Sequence, residues 1–75
     1  MRFVRSEIEG AVADFNRALS LDDRFAVAYA NRGLAFLIQG KREEAERDLS
    51  RALQLDPGLR SAVQEGIRVA TLRRQ

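Results

Sequence analysis

The sequence predicts an all-α fold of about four antiparallel helices, and three observations carry that prediction. Apolar residues recur at three- and four-residue steps through four segments, the spacing that puts them on one face of a helix. No segment alternates apolar and polar residues as a half-buried strand would. The run Arg-Ala-Leu-x-Leu-Asp occurs twice, at 17–22 and again at 51–56, an offset of 34 residues.

The first helix is expected over 6–21, where Ile8, Ala11, Val12, Phe15, Ala18 and Leu19 form one stripe. Ser6 reads as its N-cap, with Glu7 and Glu9 in an acidic first turn that complements the helix dipole. Asp22-Asp23 favours a turn and ends it. The second helix, 25–39, is apolar around most of its circumference, so it has to touch protein on more than one side. Gly40 suits the position just past a helix end. The third helix, 42–55, opens with Glu43-Glu44 and buries Ala45, Leu49, Ala52 and Leu53. Asp56-Pro57-Gly58 closes it, because proline disfavours the helical conformation in the residue before it. The fourth, 59–73, is expected to carry Leu59, Ala62, Val63, Ile67, Ala70 and Leu72 on one side.

Composition narrows the function classes. A chain of 75 residues holds one small domain, whose core supplies about 3–5 kcal/mol of net stability. It contains no cysteine and no histidine, which removes disulfides, thiolate metal sites and the usual neutral-pH general base. Neither a P-loop nor a nucleophile elbow occurs. Asp22 and Asp23 are adjacent on a turn and point apart, so they do not form an acid–base pair. The expectation is a non-enzyme without metal or cofactor. Net charge is +2, with 12 arginines and Lys41 interspersed among 11 acids, the pattern of a solvated helical surface. A mild basic bias in Arg68, Arg73 and Arg74 lacks the interleaved aromatics of a nucleic-acid interface, which leaves a nucleic-acid adaptor as the least favoured class. Apolar runs are too short for a membrane span or a signal peptide, and the location expected is cytoplasmic.

The offset of 34 extends beyond the six-residue run. Asp14 to Asp22 lies over Asp48 to Asp56 with six identities, and Ala11 lies over Ala45. A period of this length built from helix-turn-helix units resembles the tetratricopeptide repeat (TPR) family. The resemblance is complete over 26–59. Tyr29 stands at the family's aromatic position, and Gly33 and Ala45 stand at its small ones. Phe36, Gly40, Ala52 and Leu55-Asp56-Pro57 also stand where the family has its bulky, turn, small and terminating residues. The implied organisation is a short α-solenoid: a partial repeat at 1–24 holding only a second helix, a complete repeat at 26–59, and a capping helix at 59–75. The fourth helix departs from the pattern, with Ile67 at the small position and Gly66 one place early.

The resemblance implies a scaffold that binds a peptide or helix of a partner protein in a concave groove. On that basis Val27, Ala30, Asn31, Leu34, Leu37 and Ile38 line the groove, or else neighbouring helices cover them. A clamp for a peptide's terminal carboxylate is not implied, since only Asn31 matches it. Arg32 replaces the family's usual aliphatic residue. A partly buried guanidinium needs a carboxylate, and Asp14 and Asp48 occupy the same register on the flanking helices, so a structural ion pair is expected with one of them. A second expectation is a homo-oligomer. The first-helix stripe lacks the helix that would precede it, and Phe3, Ile8, Val12 and Phe15 are expected to pair two chains.

Overall fold

The computed structural model describes residues 5–74, with side-chain environments from Glu7 to Leu72. It contains α1 (Arg5–Leu21), α2 (Ala26–Ile38), α3 (Arg42–Leu55) and, after a single 3-10 turn at Pro57–Leu59, α4 (Arg60–Arg74). Among the described residues there is no strand, and no helix is long and apolar enough to cross a membrane. The helix order matches the sequence expectation, with two local differences. Ser6 lies inside α1 instead of capping it. Pro57 does more than end α3: it opens the 3-10 turn, whose start Asp56 caps by accepting from the Gly58 amide at 3.0 Å.

Each turn is fixed by its own chemistry. Asp22 accepts from the Arg24 amide through its side chain (3.0 Å), and the Tyr29 hydroxyl reaches back to the Asp23 carbonyl at 3.1 Å. Together they hold α1 and α2 in a tight hairpin. At the end of α2, Gly40 adopts φ 82°, and the Lys41 and Gly40 amides bond to the Phe36 and Leu37 carbonyls at 2.8 and 3.0 Å. That pair of bonds is the Schellman arrangement, and the left-handed residue it needs is the reason for glycine there.

Helix α2 is the centre of the molecule. Helices α1, α3 and α4 all pack against it, as an all-round apolar helix requires. Its tightest partner is α3, which runs antiparallel to it. A β-carbon added at Gly33 would sit 2.8 Å from Leu49 Cγ and 3.1 Å from the Ala45 carbonyl oxygen, so the backbones approach as only glycine allows. Ala45 and Ala52 are fully buried, and Ala30, Leu49, Ala52 and Val63 form the core, with Tyr29, Leu37, Leu53 and Leu59 packed around it.

Helix α4 departs from its expected stripe. Val63 and Ala70 are buried, but Ile67 and Leu72 are exposed and Ala62 is on the surface. The buried line instead runs through Leu59, Val63, Gly66 and Ala70, a three- and four-residue spacing that skips Ile67. Gly66 explains the choice. A β-carbon there would collide with Leu34, so the helix turns its glycine toward α2 and leaves isoleucine outside.

The two close approaches differ in what blocks them, and this gives a prediction. At Gly33 the obstacle includes a backbone carbonyl, whereas at Gly66 it is the movable end of Leu34. Alanine gains about 0.5–1 kcal/mol over glycine inside a helix, while overpacking costs about 1–3 kcal/mol. Gly33→Ala is expected to destabilise the protein by about 1–2 kcal/mol and Gly66→Ala by less than about 1 kcal/mol. Urea denaturation of both variants checks the order, and equal losses would contradict it.

Candidate functional site

Two sites are built around α2. The first is polar. The Arg32 guanidinium lies between α1 and α3 and donates three hydrogen bonds. Nε and Nη2 reach Asp48 Oδ2 and Oδ1 at 2.6 and 2.7 Å, and Nη1 reaches Asn16 Oδ1 at 2.8 Å. Its carbon is 5.7 Å from the Tyr29 ring centroid and 5.8 Å from that of Phe36, so two aromatic residues of its own helix support the cation. Asp48 is buried at 6% exposure, which makes the two-pronged contact the means by which its charge is tolerated. The hydrogen bond to Asp48 raises the Arg32 pKa, against the lowering effect of burial. With its pKa raised, the stabilisation tied to Arg32 is fully present at every pH below the ordinary arginine value. It is lost only in stronger alkali, so Arg32 does not make the fold sensitive to pH near neutrality.

The carboxylate that meets Arg32 is therefore that of Asp48. Asp14 takes no part: it is exposed on the far side of α1. The partner on α1 is Asn16, which the sequence reading did not single out. Its signal was a departure from the repeat, since Ser50 occupies the matching position of α3 and is too short for the same reach.

The second site is apolar. Helices α2 and α4 enclose an open groove of about 440 Å³ with Leu34 and Ile38 on one wall and Ala62, Val69 and Ala70 on the other. Glu65 stands at its rim and lies 3.9 Å from Arg68. Gly66 forms part of the floor, because its missing side chain lets the helices close on Leu34. A larger depression of about 570 Å³ lies on the outward surface of α3, but one helix supplies all of its lining residues, from Glu43 to Gln54, and they are exposed. That is a solvated helix face with nothing to enclose a ligand.

The expected groove residues divide between this site and the core. Leu34 and Ile38 line the groove. Val27, 44% exposed, and Asn31, also exposed, continue the same face of α2 toward its start. Ala30 is buried in the core, and Leu37 packs against that core, as Leu34 also does. Of the residues expected in self-association, three lie on α1. Phe3 lies outside the described residues. Ile8 and Leu19 are buried, and Val12 and Phe15 are half-buried, because α1 lays this stripe against α2. Among the described residues, the exposed large apolar side chains are Leu21, Phe25 and Val27 around the first turn, and Ile67, Val69 and Leu72 on α4. Among the described residues, no group of three histidine, cysteine, aspartate or glutamate side chains is placed to hold a metal ion.

This geometry agrees with comparison to known proteins. Residues 26–59, which are α2, α3 and the 3-10 turn, match the family model of the tetratricopeptide repeat. Over α2, α3 and the turn after them, the chain is thus similar to a tetratricopeptide repeat. It is similar to sperm-associated antigen 1 of Rattus norvegicus, with 37% identity over 46 residues. Those residues are 61% of this chain and span 5% of that protein's length. No solved structure matches the chain.

The Arg32 geometry yields a double-mutant prediction. Arg32→Met and Asp48→Asn, alone and together, are expected to show a coupling of about 1–3 kcal/mol in thermal or urea unfolding. The same cycle with Asp14→Asn is expected to be additive within about 0.5 kcal/mol. Coupling to Asp14 in place of Asp48 would overturn the arrangement.

Proposed function

We propose that the α2–α4 groove binds an amphipathic helix or short apolar peptide of a partner protein, and that the chain works as a non-catalytic interaction scaffold. The observation that supports this most is the groove itself, apolar on both walls and within the size range of about 300–1,000 Å³ common to binding clefts. Leu34, Ile38 and Val69 offer apolar contact for side chains that recur every three or four residues on a ligand helix. Asn31 beside them can both donate and accept, which orients a backbone. Glu65 at the rim favours a ligand with lysine or arginine next to its apolar residues. The division into a partial repeat, a complete repeat and a capping helix belongs to the same proposal, as does a cytoplasmic setting.

A second reading is self-association, favoured by the exposure of Leu21 (82%) and Leu72 (66%) at opposite ends of the fold. Sedimentation equilibrium at tens of micromolar separates the two, since the scaffold reading expects a monomer and the other a dimer or larger species.

The groove reading is tested by selecting amphipathic helical peptides that bind the chain from a displayed library. Leu34→Glu and Val69→Glu are each expected to weaken a selected peptide at least tenfold while circular dichroism stays helical. Exposed Leu72→Glu is expected to leave binding within about twofold. Peptides that bind equally well to all three variants would refute the groove.

A further inference from the structure

Among the described residues the structure forms two ion pairs, and they differ in kind. Arg32 and Asp48 meet at 2.6 Å in a two-pronged contact largely shielded from water. Arg68 and Glu65 lie 3.9 Å apart on α4, with side chains 76% and 65% exposed. That distance is near the outer limit of an ion pair, and in water such a contact holds its partners weakly. Either residue of the second pair can therefore change partner.

Glu65 also belongs to the α2–α4 groove, and among the residues that line it Glu65 alone is charged. The facing wall, Leu34 and Ile38, is apolar. At about 100° per residue, Val69 lies roughly 40° around α4 from Glu65, one turn further on and toward the groove. Arg68 lies roughly 60° to the other side, away from Ala62, Gly66 and Val69. The Glu65 carboxylate is thus drawn outward by Arg68, while the groove beside it offers no cation of its own.

We propose that Glu65 and Arg68 set the ligand specificity of this groove. Glu65 selects a peptide that carries an arginine or lysine one helical turn from an apolar residue seated on Val69. Arg68 is the internal competitor that the ligand's cation displaces. The proposal rests on the groove reading given above and adds the two residues that decide which peptides enter. An apolar ligand lying along Val69 strips water from Glu65, and a loose contact to Arg68 compensates poorly for that loss. A ligand with its own cation makes good the loss, whereas an acidic ligand meets a like charge and is rejected. Exchange is easy because the Glu65–Arg68 contact is long and wet; the short Arg32–Asp48 pair would not release its carboxylate. Salt weakens the selection, since both residues stand in solvent.

The test selects amphipathic helical peptides from a displayed library against the unaltered chain and against two variants, Glu65→Gln and Arg68→Ala. Both changes are at exposed positions of α4, and circular dichroism is expected to stay helical. Peptides selected on the unaltered chain are expected to carry arginine or lysine three or four residues from an apolar residue. Those selected on Glu65→Gln are expected to lack this enrichment. Replacing the cation of a selected peptide by glutamine is expected to weaken binding to the unaltered chain about threefold to fivefold at low salt, and to leave binding to Glu65→Gln unchanged. Arg68→Ala is expected to strengthen the original peptide about twofold. Peptides that Leu34→Glu weakens but that show no preference for a cation would leave the groove standing and overturn the role of Glu65. Weaker binding to Arg68→Ala would mean that Arg68 touches the ligand, and would overturn its role as competitor. If no selected peptide is weakened by Leu34→Glu, the groove reading itself fails, and this proposal with it.

Discussion

The position of Arg32 at the meeting of three helices constrains much of the structure. A guanidinium there has to find acceptors on both sides, and it does so with Asp48 on α3 and Asn16 on α1. Because the contacts to Asp48 use two nitrogens in one plane, they fix the rotation of α3 about its axis as well as its distance from α2. Gly33, the next residue, then lies against Ala45 and Leu49, where any side chain would push the helices apart. The ion pair and the close approach are adjacent in sequence and reinforce each other. The aromatic rings of Tyr29 and Phe36, three and four residues away, flank the cation and fill the space beside it.

The repeat explains the likeness of α1 and α3, and the departures from it explain their different roles. The face of α1 that meets α2 is apolar at Ile8, Val12 and Leu19. The matching positions of α3 are Arg42, Glu46 and Leu53. Arg42 and Glu46 are charged and stay in solvent, while Leu53 packs against the core. Helix α4 consequently leans on α2 and on the 3-10 turn more than on α3. Its glycine lies against Leu34, and the groove opens beside that contact. The groove is thus a result of which residues α3 lacks as much as of which residues α2 and α4 present.

The fold was legible because its signals are local: helical spacing, Gly40, Asp56-Pro57 and a period of 34 each act within a few residues or repeat along the chain. Gly33 was legible because the family pattern supplied its partner. The rotation of α4 was not. Apolar spacing alone allowed Ile67 to be buried, and the choice depended on Leu34 finding room at Gly66, a contact 32 residues apart in sequence. A glycine inside a helix costs about 1 kcal/mol against alanine, which is the clue that it packs against something. The burial of Ala30 and part-burial of Leu37 were not legible for the same reason. They share a helix with Leu34, but only the placement of α3 and α4 decides which side of α2 is covered. The partial burial of the α1 stripe was not legible either, because it depends on α2 having enough apolar circumference to serve three neighbours at once.

The central claim is that α2 holds the molecule together, with α1 and α4 each attached to it more than to one another. Hydrogen exchange of the native protein, read residue by residue, tests it most directly, because local opening exposes amides in cooperative groups. The account predicts that amides in the middle of α2 and α3 exchange slowest and only through global unfolding. Those of α1 and α4 are predicted to exchange through two separate, lower-energy openings. Protection of α1 or α4 equal to that of α2, or exchange of α2 ahead of either, would contradict it.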